Sequence, residues 1–217
     1  MFSDIKRLVS PDMMQKVTLS LYQWIKLSLY MSLYSIPWVL VNTFFRLTKE
    51  TLLLFVLSFL LAIPNIVVAL SFSKESTSFR KYTHYLKNTY VDSLKNGLFI
   101  TGILLFLSLD SYIVLFLMNV NYFFPLIYIT FLFVIVWSVY FLYFQQKKET
   151  LFMGNLKTAM FFSWRCVLLS VGLFLLIMLW LSIGYFLQGM NIIVGTGLVW
   201  GVIARLIEKR VGKTINN

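Results

Sequence analysis

The chain has 217 residues, of which 59% are hydrophobic and only 12% charged. A soluble domain carries about 25% charged residues, so this composition excludes a water-covered globule and leaves most of the outer surface to lipid. Nineteen Lys and Arg against eight Asp and Glu give a net charge of +11. The basic residues lie between apolar stretches rather than in one domain, which points to the cytoplasmic excess that sets membrane topology and not to nucleic acid.

Residues 1–16 are mixed and polar and show no short apolar core followed by a small-residue cleavage site. They are expected to form a cytoplasmic N-terminal segment rather than a cleavable signal. Six apolar stretches follow, at about 27–45, 51–72, 97–118, 123–144, 166–187 and 190–207. A bilayer core of about 30 Å takes about 20 residues of helix. The first five stretches meet that length, and the sixth is shorter and rich in glycine. No alternating apolar–polar pattern suggests a barrel. The predicted fold is therefore all-α: a polytopic membrane helix bundle of about six transmembrane helices, forming one membrane domain over residues 1–217. Pro37 and Pro64 interrupt the first two spans and predict kinks.

The connections alternate in charge. Lys6, Arg7 and Lys16 precede the first span, Lys74 to Lys95 supply five cations before the third, and Lys147, Lys148 and Lys157 lie before the fifth. Arg205, Lys209, Arg210 and Lys213 follow the last apolar stretch, whereas the opposite side holds only Arg46 and Lys49. Both termini are accordingly expected in the cytoplasm of a multi-pass cell-membrane protein, with an almost bare outer face.

The 73–96 linker carries Phe79, Tyr82, Leu86, Tyr90 and Leu94 at spacings of three and four. This is one apolar stripe of a helix with basic residues elsewhere, predicting an interfacial amphipathic helix on the inner leaflet that enters the third span at Gly97. Ser93-Leu-Lys-Asn-Gly-Leu-Phe99 echoes Asn155-Leu-Lys-Thr-Ala-Met-Phe161. Each segment precedes a membrane hairpin, which suggests a parallel internal repeat.

Catalytic motifs are missing from the sequence. One histidine, His84, and one cysteine, Cys166, cannot supply a zinc site, and no Walker-type glycine loop occurs. No segment between the spans is long enough for a catalytic domain. The chain is therefore not expected to be an enzyme, nor to hold a metal or cofactor. Asp110 is the one acidic residue deep inside a span. A carboxylate there costs roughly 2.5–3.5 kcal/mol on insertion scales, so Asp110 is a substrate or proton site, a helix contact, or a residue nearer the outer surface than the span bounds place it. Gly195, Gly197 and Gly201 mark the last stretch, and the pair Gly197 and Gly201 permits close helix approach, within the chain or to a partner.

Three segments resemble the YesL-like family of small bacterial membrane proteins. They are Ile63 to Leu70 followed by Lys74, the aromatic-basic linker ending in Tyr90 to Gly97, and Asn155 to Ala159. The chain departs from the family's proline-alanine-threonine run, because Asn65 and Ile66 follow Pro64. The resemblance implies an accessory component of a carbohydrate ABC importer, with the lipid bilayer and permease subunits as partners. Gln145 to Met160 lacks the alanine-and-glycine pattern of a permease's ATPase-docking loop, so the chain is not expected to be the permease itself. The alternative is a self-contained small transporter or flippase using an intramembrane polar site at Asp110.

Overall fold

A computed structural model of the chain describes residues 11–46, 48, 50–72, 78–118, 121–147, 152–186 and 196–215. Among these residues there is no strand, so the all-helical class holds. The helices are α1 (Pro11–Tyr34), α2 (Ile36–Phe44), α3 (Leu52–Ser71), α4 (Phe79–Tyr112), α5 (Phe124–Lys147), α6 (Phe152–Arg165), α7 (Val167–Phe186) and α8 (Thr196–Ile215). A π-helical turn, Ile113–Leu117, extends α4, and a short 3-10 turn, Asn121–Phe123, leads into α5.

By length and composition, three helices can cross a membrane: Leu52–Ser71, Phe79–Leu115 and Phe124–Gln146. The number rises to five if each of two bent pairs counts as one span. Among the described residues the protein is thus all-helical, with three to five membrane-length apolar helices of the six expected. The expected first span is broken. α1 and α2 meet at an angle of 86°, because Pro37 has no N–H to donate back to the preceding turn and Ser35 leaves the helical region at φ −108°, ψ 30°. The expected fifth span begins only after a 96° bend between α6 and α7 at Cys166. At that bend the Ser170 hydroxyl donates to the Ser163 carbonyl at 3.0 Å. The expected sixth span loses its first residues, 190–195, outside the described set. α8 itself carries Arg205, Glu208, Lys209, Arg210 and Lys213, which leave it without a long apolar stretch.

The linker helix runs into the third span, as expected. The amphipathic segment from Phe79 and the third span are one continuous 34-residue helix, with no break at Gly97. Its inward face is Tyr82, Leu86, Thr89, Ser93, Asn96, Gly97 and Ile100. Of the predicted stripe only Tyr82 and Leu86 are buried; Leu94 is half-buried, and Phe79 and Tyr90 are exposed. The small polar residues Thr89 and Ser93 replace Tyr90 and Leu94 inside because α4 packs against another helix, where small side chains allow close approach.

The core sits at one end of the bundle. Ala62 to Leu70 of α3 and Val136 to Phe144 of α5 are buried on every side, whereas Leu52, Leu53, Leu54, Leu126 and Ile129 at their N-terminal ends are exposed. A helix segment apolar all round is stable only when enclosed or in lipid. The two C-terminal ends meet where Ser71 donates to the Gln146 side-chain carbonyl at 2.5 Å and the Gln146 amide donates to the Leu70 carbonyl at 3.3 Å. α3 pairs with α4, and α5 pairs with α6.

Candidate functional site

The polar interior is built around Asn65, one residue past Pro64 in α3. It is 1% exposed. A buried amide costs free energy unless its groups are hydrogen-bonded. Here the Asn65 Nδ2 donates to Ser35 Oγ at 2.8 Å and the Tyr82 hydroxyl donates to Asn65 Oδ1 at 3.0 Å. The break between α1 and α2 is thereby tied to α3 and α4 through one side chain. Next to it Tyr34 and Thr83 share a hydrogen bond of 2.8 Å. The rings of Tyr30, Tyr34 and Phe72 pack against Tyr82 with centroids 5.6, 5.8 and 6.3 Å away.

A narrow cleft of about 20 Å³ adjoins Ser35, lined among others by Trp38, Phe59, Ile66, Trp180 and Trp200. That volume admits about one water molecule, far less than a sugar. The Nε1 of Trp200 is buried without a hydrogen-bond partner, and the lining is otherwise mostly apolar. Among the described residues no group of His, Cys, Asp and Glu could hold a metal ion. The Asn65 constellation contains no nucleophile beside a base. Its chemistry is that of a positioning network.

The predicted site residues do not converge. Asp110 lies two residues before the end of α4, and its side chain is exposed on the outside of the bundle, not aimed into a cavity. Gly195 lies outside the described residues. Gly197 and Gly201 are buried against α1. The Gly197 amide donates to Ser28 Oγ at 2.8 Å. A Cβ at Gly197 would collide with the Ser28 amide nitrogen and lie 2.8 Å from the Trp24 carbonyl oxygen. A Cβ at Gly201 would lie 3.1 Å from the Trp24 indole, and the Arg205 guanidinium stands 4.8 Å from that ring. Residues 197 and 201 thus meet residues 28 and 24, so α8 runs antiparallel to α1. The glycine pair serves contact within this chain.

Sequence reading missed Asn65 as a site residue. The available signal was an amide inside an apolar span, directly after the proline. No family model, curated protein or solved structure matches this chain.

Proposed function

We propose that the chain is an integral membrane accessory protein that works by binding another membrane protein, and that its partner is a permease of a carbohydrate ABC uptake system. The observation that carries the binding role is the outer part of α4. Its membrane-length window is only 11% buried within the bundle, against 50% for α3 and 44% for α5. This same exposed stretch holds Asp110. A carboxylate on an apolar helix face is costly against lipid and gains from a donor on a neighbouring protein helix. The importer assignment rests on the resemblance to the YesL-like family. A cell-membrane, multi-pass chain with cytoplasmic termini is supported by the charge asymmetry of the connections. The antiparallel α1–α8 pair supports it too, since it brings the start of α1 and the end of α8 to the same side. On this reading the protein is not an enzyme.

A self-contained transporter draws less support. Asp110 points away from the bundle interior, and the cleft beside Ser35 is of single-water size.

The test is affinity capture from native-level expression in mild detergent, with mass spectrometry of the bound proteins. A photo-crosslinker at Phe106, which is 69% exposed, should add permease subunits covalently. Asp110→Asn should reduce permease recovery roughly five- to thirtyfold, as expected for about 1–2 kcal/mol of interhelical hydrogen bonding. Recovery of the protein alone, with Asp110→Asn neutral, would overturn the accessory reading.

A further inference from the structure

One face of α4 is outward along its length. A helix turns about 100° per residue, so the inward residues Tyr82, Leu86, Thr89, Ser93 and Ile100 define one side. Arg80, His84, Lys87 and Lys95 lie on the opposite side, with Val91 among them, and all are exposed. The same line continues as Leu98, Gly102, Leu105 and Leu109, also exposed. A Cβ at Gly102 would meet nothing within 4 Å, so the glycine leaves a notch in an open surface. The face therefore changes from basic to apolar between Lys95 and Leu98, within one turn. Asp92, the acidic residue on this part of the helix, falls about a third of a turn away from the line. Among the described residues Arg80, Lys87 and Lys95 are in no ion pair.

A partner for the whole face needs negative charge at one end and hydrocarbon at the other. A soluble acidic protein would satisfy the basic half and leave the apolar half against water. A zwitterionic lipid would fit the apolar half and bring no net charge to the basic one. We propose that this face of α4 binds an anionic phospholipid. One acyl chain lies along Leu98, Gly102 and Leu105, and the phosphate is held by Lys95 and Lys87. His84 and Arg80, about one and two turns beyond Lys87, take the remainder of an acidic headgroup or a second lipid. Its basic half lies toward the core end of the bundle, and its apolar half lies about a third of a turn round α4 from Asp110, so it stands whether or not a permease binds on the Asp110 side.

The experiment uses the full-length protein in nanodiscs of phosphatidylcholine with a minor share of phosphatidylglycerol. Lipids retained after mild delipidation are counted by native mass spectrometry. The unaltered protein should retain phosphatidylglycerol above its share of the bilayer. Lys87→Gln with Lys95→Gln should cut that enrichment about fivefold per cation removed. Lys157→Gln with Lys209→Gln removes the same charge from other exposed positions and should leave it intact. Soluble glycerol phosphate should not displace the lipid. Equal losses in both double variants would reduce the effect to net charge and overturn the site. So would an unchanged enrichment in the α4 variant, or displacement by glycerol phosphate.

Discussion

The hairpins α3–α4 and α5–α6 carry the same seven-residue echo, and its positions are buried in nearly the same order. Ser93 and Asn155 are buried, Leu94 and Leu156 half-buried, and Lys95 and Lys157 exposed. Gly97 and Ala159 are buried, and the pairs Leu98–Met160 and Phe99–Phe161 are exposed. Asn96 departs slightly, being buried where Thr158 is half-buried. Two segments that share little more than this pattern therefore present the same face to their partner helices. The hairpins part at two points. A Cβ at Gly97 would lie 2.8 Å from Ile63 Cδ1, whereas Ala159 already carries a Cβ and is fully buried. Beyond the echo, α4 runs on without a break to Tyr112, whereas α6 stops at Arg165 and the chain turns by 96°. The lesson is that the helix-pairing face is set locally by small and polar residues, while the course of the helix past it is set elsewhere.

The sharpest test of this difference is Gly97→Leu. Ile63 leaves no room for a larger side chain, so the variant should lose about 3 kcal/mol, the upper part of the overpacking range. Unfolding in detergent would read the loss, and Ile63→Ala in the same chain should restore part of it. A neutral Gly97→Leu would make the two hairpins interchangeable at this position. A smaller effect is expected for Asn65→Ala. It removes the acceptor of the buried Tyr82 hydroxyl and the donor to Ser35, and about 2 kcal/mol is the ordinary cost of leaving such groups unpaired. In the second hairpin Asn155 donates to the Gln145 side chain at 2.8 Å. Asn155→Ala removes that bond and should cost at least about 1 kcal/mol, the worth of an ordinary hydrogen bond. If Asn155→Ala proved as damaging as Asn65→Ala, the polar interior would be shared between the hairpins instead of concentrated in the first.

The helical class was legible because composition and apolar run lengths decide it. The echo was legible because it is written in consecutive residues. The inward face of α4, which includes Thr89 and Ser93, was not read from the sequence, where the Phe79–Leu94 stripe pointed to the inner leaflet. Hydropathy ranks aromatic and aliphatic residues as interior, but helices in a membrane approach one another through small side chains and leave large ones for lipid. Pro37 announced a kink and not its angle, and the partner of the Ser35 side chain at that turn, Asn65, lies 30 positions away. Asp110 announced a polar site and not its direction. Whether a helical side chain faces inward depends on which neighbour the helix finds. The glycine spacing announced a close helix contact and not its partner, because Trp24 and Ser28 carried no mark that would identify them as the other half.

That last contact bears on how the protein comes into being. The Gly197 amide meets the Ser28 hydroxyl across 169 positions of chain. At a synthesis rate of roughly 5–20 residues per second, about 10–30 s separate the emergence of the two residues from the ribosome. During that interval Trp24 and Ser28 lack the helix that finally covers them. α1 must be held by the insertion machinery, by lipid or by a provisional neighbour until α8 arrives, so a chain stalled before α8 leaves this face of α1 uncovered.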